Sequence, residues 1–124
     1  MSVLISGGTV VTPRGSTRAS VRIDGETIAE IGDLAPLPGE EVVDAAGCLV
    51  LPGGIDSHTH LELDCGPGLI TADTWATGTR SALAGGTTMM VDFATQFHGQ
   101  SLGERLAAWH GLADGHAVSD YAFH

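Results

Sequence analysis

With 124 residues, 43% of them hydrophobic, the chain has the length and composition of one modest folded unit and not of a disordered segment. Fifteen acidic residues stand against five basic ones, and the net charge of −10 excludes nucleic acid and anionic membranes as partners, since both need basic patches. No apolar run reaches the length of a membrane span, residues 1–8 lack the pattern of a secretion signal, and Cys48 and Cys65 make no C-x-x-C, so a soluble cytoplasmic protein without a disulfide framework is expected.

Residues 1–52 read as short strands and turns. Val3-Leu4-Ile5 leads to Gly7-Gly8, and Thr9-Val10-Val11 runs up to Pro13. Val21-Arg22-Ile23 and Thr27 to Ile31 alternate with period two around Asp24-Gly25, a hairpin signal. Leu34 to Glu40, with two prolines and a glycine, reads as a loop. Val42-Val43 and Cys48 to Leu51 are further strands, and Cys48 is expected to be a small core residue.

From Gly53 the pattern changes. A strand runs to His60, and a loop is expected over Leu61 to Ile70. Thr71-Ala72-Asp73 is expected to open a helix, with Asp73 in its first turn and Trp75, Thr79, Ala82 and Leu83 on one face. Gly85-Gly86 closes that helix. Thr87 to Phe93 reads as a strand buried on both faces. Ser101-Leu102-Gly103-Glu104 matches a capping box, followed by a helical stripe of Leu102, Leu106, Trp109 and Ala113. Ala117 to Phe123 is a third strand. The order β-α-β-α-β, with crossovers long enough for parallel pairing, predicts an α/β fold, either doubly wound or a (β/α) barrel. In both, function sits at the carboxyl ends of the strands.

Asp56-Ser57-His58-Thr59-His60 ends at such a place. Alternation by two points Asp56, His58 and His60 to one face, and two imidazoles about 7 Å apart along a strand can lean together onto one metal ion. Neutral imidazoles suit zinc and its neighbours. A pair of surface or hydrogen-bonded histidines is the alternative.

Taken together, four passages resemble the dihydropyrimidinase/hydantoinase branch of the amidohydrolase superfamily. They are Pro52-Gly53-Gly54-Ile55-Asp56-Ser57-His58-Thr59-His60-Leu61-Glu62-Leu63, Ala84-Gly85-Gly86-Thr87-Thr88 with Asp92-Phe93, Gly99-Gln100-Ser101-Leu102, and Asp120-Tyr121-Ala122-Phe123-His124. The likeness covers the whole chain, and the branch commonly has Pro where Ser57 stands. It implies residues 1–52 as part of a small β-sandwich domain, and 53–124 as the first three strands and two helices of a (β/α)8 barrel. The activity implied is hydrolysis of the ring amide of hydantoins or dihydropyrimidines to N-carbamoyl amino acids, by attack of metal-bound hydroxide. Two zinc ions per subunit are implied, with His58 and His60 on the more buried one, together with a homotetramer or dimer.

By the same likeness the bridging carboxylated lysine, two further histidines and the acid/base aspartate lie beyond residue 124. The basic residues here are Arg14, Arg18, Arg22, Arg80 and Arg105, so no residue of this chain can be the bridging lysine, and none is assigned as catalytic acid or base. The chain is expected to be the N-terminal portion of a longer enzyme, inactive alone. Asp56 either orients a ligand ring or is a hydrogen-bonded core carboxylate. Leu63, Cys65 and Phe97 either touch substrate or pack in their loops, and the same holds for His98. Asp92 is an orienting carboxylate, a salt-bridge partner or a helix cap. His110 and His116 are expected at the surface, Trp75 and Trp109 in the core, and His124 matches no metal position. The other readings are a different H-x-H amidohydrolase, such as an allantoinase, dihydroorotase or deaminase, a non-catalytic scaffold relative, or an inactive product.

Overall fold

The computed structural model describes residues 2–124 and divides the chain into two compact units, Met1–Pro52 and Gly53–His124. The whole is mixed α/β with strands dominant.

The first unit is one sheet. Strands β1 (Ser2–Thr12), β2 (Gly15–Asp24), β3 (Thr27–Gly32) and β4 (Glu41–Asp44) lie in the order β3-β2-β1-β4, and the two-residue β5 (Leu49–Val50) also pairs with β1. The Asp24-Gly25 hairpin is present, with Asp24 opposite Thr27 and Gly25 at φ 59 as the first of two loop residues, where a twist-matched turn needs glycine. The runs Val3-Leu4-Ile5 and Thr9-Val10-Val11 belong to one strand, and Gly7-Gly8 does not interrupt it. It makes a bulge between Ile5 and Gly8 inside one long strand, and a Cβ on Gly8 would meet Val50 Cγ2 at 2.5 Å and Ala45 Cβ at 3.2 Å. Cys48 is exposed, contrary to the expectation of a core residue. It sits at the end of a tight turn, its N–H on Ala45 O at 2.9 Å, one residue before a strand too short to cover it. Ile28, Ile31, Val42, Val43, Leu49 and Leu51 are also exposed.

Polar side chains lock this sheet at Arg22. Its guanidinium donates to Glu40 Oε1 at 2.8 Å and Oε2 at 3.3 Å, to Glu30 at 3.1 Å and to Ala35 O at 2.7 Å. The Glu40 side chain is 1% exposed, and the Arg22 hydrogen bonds, with the Leu37 N–H, pull its carboxyl down to about 2. A depressed acid stabilises the fold above its ordinary pKa and loses that contribution as pH falls through the folded value. The first unit is therefore expected to lose stability progressively from about pH 4.5 to about pH 2, and Glu40→Gln to flatten that slope. Denaturation midpoints measured across this range check it, and an unchanged slope in the variant refutes it.

The second unit follows the predicted alternation. Strands β6 (Gly54–Thr59), β9 (Thr87–Asp92) and β10 (Asp120–Phe123) form a parallel sheet in the order β10-β9-β6, with helices α1 (Trp75–Ala84) and α2 (Leu102–Ala113) in the crossovers. The expected loop over 61–70 carries instead a small antiparallel hairpin, β7 (Asp64–Gly66) and β8 (Leu69–Ile70), turning through Gly66 and Gly68 at positive φ. Helix α1 starts later than expected. Thr74 is its N-cap, accepting from Thr77 N, so Asp73 lies before the cap and takes the Thr77 hydroxyl at 3.2 Å. Ser101 and Glu104 make the predicted capping box at α2.

Leu61, Trp75, Met90, Trp109 and Ala113 form the buried core of this unit. Both tryptophans are core, as expected. Strand β9 buries Met90 and Asp92 while Met89 and Val91 are only half-buried, so it is covered on one face and not on both. The stripe on α2 is buried only at Trp109 and Ala113, and Leu102 and Leu106 are exposed, lining a hollow with Ala94 and Phe123. No helix among the described residues is long and apolar enough to cross a membrane.

Candidate metal centre

The strand that presents the histidines is less regular than alternation predicts. Asp56 lies opposite Met90 and Thr59 opposite Asp92, so three steps on β6 match two on β9 and an extra residue sits between. The Asp56 carboxylate accepts from the backbone N–H of His58 at 3.2 Å, a local turn that occupies the bulge. The even face expected from Asp56 to His60 is therefore interrupted, and Asp56 contacts backbone, not an imidazole ring. The strand is also exposed except at Thr59, with Ile55 65% exposed, and among the described residues it pairs on one edge only.

The two rings nevertheless come together. His58 and His60 have centroids 5.2 Å apart at 82°. Both lie against the Phe93 ring, at 4.5 Å and 5.2 Å, so they occupy the same side of the strand end. Two imidazoles holding one zinc through nitrogens about 2.1 Å away, at a tetrahedral angle, have centres about 5.1 Å apart. The spacing and donor type fit a shared ion, and both side chains are exposed, which leaves it room. Among the described residues no group of three or more His, Cys, Asp or Glu is arranged to hold a metal, so the pair accounts for two ligands at most.

Phe93, given no role of its own from the sequence, and His124, set aside there as matching no metal position, belong to the same cluster. His124 lies 4.6 Å from Phe93, centroid to centroid, and its Nε2 is 3.0 Å from Ser57 O. The signal available for Phe93 was its place one step beyond Asp92, on the opposite face. Asp92 itself is fully buried and accepts from Thr59 Oγ1 at 3.1 Å, Leu61 N at 2.7 Å and Trp109 Nε1 at 2.9 Å. It is neither a salt-bridge partner nor a helix cap among the described residues.

The chain leaves His60 through Glu62, which has φ 51 and is the only non-glycine with positive φ among the described residues. Its carboxylate accepts from Trp75 N at 3.3 Å, at the amino end of α1, where negative charge is favoured. Leu63 packs against the core cluster, Cys65 is exposed with its thiol on Leu63 O at 3.6 Å, and Phe97 lies 4.9 Å beneath the Arg105 guanidinium. Among the described residues Phe97 makes no ring contact with His58 or His60, whose ring partners are each other and Phe93. His110 and His116 are exposed, as expected; His110 faces Asp114, whose carboxyl is held low first by Tyr121 and then by His110.

Residues 49–108 match the profile described as the amidohydrolase family. Along 98% of its length the chain is 47% identical to a D-hydantoinase of Streptomyces coelicolor, of which it covers 27%. It is 43% identical to a dihydropyrimidinase of Rattus norvegicus, over 98% of this chain and 24% of that one. Among solved structures, the dihydropyrimidinase of Brevibacillus agri NCHU1002 superposes at a TM-score of 0.94 with 48% identity, over 100% of this chain and 27% of the other. The chain thus spans about a quarter of the length of the relatives it matches.

Proposed function

We propose, from the premise that this chain belongs to the amidohydrolase family, that a protein containing it opens the ring amide of hydantoins or dihydropyrimidines to give N-carbamoyl amino acids. The observation that carries the reading is the convergence of His58 and His60 at the strand end, at a spacing suited to one zinc ion. His58 and His60 hold one ion of a zinc pair, and the remaining ligands come from elsewhere in the full-length protein. Bound there, zinc lowers the pKa of water toward neutrality and polarises the ring carbonyl. The chain's own part is to fix two imidazoles on one side of a strand, against Phe93, with both residues exposed. Asp56 holds the His58 backbone, and Cys65 stands exposed on the β7–β8 hairpin and Phe97 on the loop after β9, two segments that would wall the substrate.

The second unit is the opening βαβαβ of a (β/α)8 barrel. What supports this is that β6 and β10 each pair on one side only among the described residues, leaving edges that closure would remove. The first unit is part of a β-sandwich, a reading supported by the apolar side chains its sheet leaves exposed. A cytoplasmic homotetramer or dimer follows from the family likeness alone. The names of the relatives favour hydantoin and dihydropyrimidine rings over the substrates of allantoinase or dihydroorotase.

A full-length protein carrying these residues, loaded with zinc, is expected to convert hydantoin or dihydrouracil to the N-carbamoyl product. No turnover of either ring by folded, zinc-loaded protein refutes the proposal. The 124-residue polypeptide alone, which has no lysine to bridge a metal pair, is expected to show none even with zinc supplied.

A further inference from the structure

Asp92 is the last residue of β9, and its carboxylate is fully buried without an ion-pair partner among the described residues. Burying a carboxylate costs several kcal/mol unless its oxygens are well hydrogen-bonded, so a residue needed only for packing would be apolar. The three donors it gathers are not scattered. Oδ2 takes the Thr59 hydroxyl and the Leu61 N–H, the residues on either side of His60. Oδ1 takes the indole N–H of Trp109 on α2.

The place of this clamp matters because the sheet holds His60 poorly. Strand β6 ends at Thr59, its register slips between Asp56 and Thr59, and His60 itself lies beyond the ladder. The Leu61 N–H has no ladder partner and would be an orphan donor without Asp92. Holding the hydroxyl before His60 and the amide after it fixes the backbone at that one residue, and with it the direction of the ring. Trp109 anchors the carboxylate from the other side, so the aim of the ring is referred to α2 and the core.

We propose that Asp92 is a positioning residue for the metal centre, acting on His60 through Thr59 and Leu61 and contacting neither the ring nor the ion. The inference rests on the reading of His58 and His60 as zinc ligands. Asp92→Asn keeps the shape but turns an NH2 toward donors, and Thr59→Val removes one donor at constant shape. Met90→Ala, two residues earlier on the same strand, removes core packing shared with Leu61 and Trp109 but none of the clamp's hydrogen-bonding groups.

In full-length protein stripped of metal, zinc affinity is measured by competition with a chromophoric chelator, well below each variant's melting temperature. Asp92→Asn is expected to weaken zinc binding by about ten-fold or more, the size of loss that outer hydrogen-bonding partners of metal ligands show. Thr59→Val is expected to weaken it several-fold, and Met90→Ala to lower the melting temperature while leaving affinity within about two-fold. Equal affinity losses in all three variants would make Asp92 a stability residue only and overturn the proposal, as would an unchanged affinity in Thr59→Val. Should Asp92→Asn fail to fold, Thr59→Val against Met90→Ala decides. Retention of normal zinc affinity by His60→Ala would instead sink the ligand reading itself, a result the Asp92 series cannot mimic.

Discussion

Replacing His60 with Ala in a full-length protein is expected to strip zinc from the site and to lower kcat/KM by more than about a hundred-fold, since even the hydrogen-bonding partners of metal ligands cost about 10–100-fold when removed. His58→Ala is expected to do the same. The reason is geometric: the rings are 5.2 Å apart and share one side of Phe93, so removing either leaves the other without its partner on the proposed ion. Stability should hardly move, because both imidazoles are exposed and neither belongs to the core cluster. Metal content, turnover of hydantoin and the melting temperature of the zinc-free form are measured together. A His60→Ala protein that folds, binds zinc and turns over normally would show that the two rings merely stack at a strand end. Loss of turnover with full zinc retention would assign His60 to substrate and not to metal.

The signals that proved readable in the sequence were those carried by a few neighbouring residues. Asp24-Gly25 marked a real hairpin, Ser101 to Glu104 a real capping box, and the alternation of apolar runs with helical stripes gave the parallel β-α-β-α-β order. What local pattern could not supply was register. The slip between Asp56 and Thr59 depends on how β6 lies against β9, and it undoes the even face that counting by two assigns to Asp56, His58 and His60. The role of Asp92 is hidden for the same reason, because its donors stand 31, 33 and 17 positions away. Cys48 was misjudged from composition alone: small apolar residues are commonly buried, but this one ends a turn beside a two-residue strand. Phe93, meeting three imidazoles, reads in sequence as one more apolar strand residue.

The two tryptophans are expected to answer differently to the same substitution, although both are nearly inaccessible, Trp75 at 0% and Trp109 at 3%. Each change to Phe removes one ring of packing, so the loss of contact is comparable. The polar atom decides the rest. Trp109 Nε1 donates to the buried Asp92 carboxylate at 2.9 Å, and an unserved buried acceptor costs about 1–3 kcal/mol, more when charged. Its ring also lies 4.3 Å from the Arg105 guanidinium, a contact worth about 0.5–1 kcal/mol at a partly exposed site and weaker over Phe. Trp75 Nε1, by contrast, has no protein partner among the described residues, so Phe there removes a donor whose burial was itself unfavourable. Trp109→Phe is therefore expected to destabilise the second unit by about 2 kcal/mol more than Trp75→Phe does. Thermal midpoints of the two variants in the same full-length background, supplemented by amide exchange at β9 and α2, measure the difference. Equal losses, or a larger one at Trp75, would mean that the Trp109 hydrogen bond adds nothing to the stability of Asp92 in its buried place.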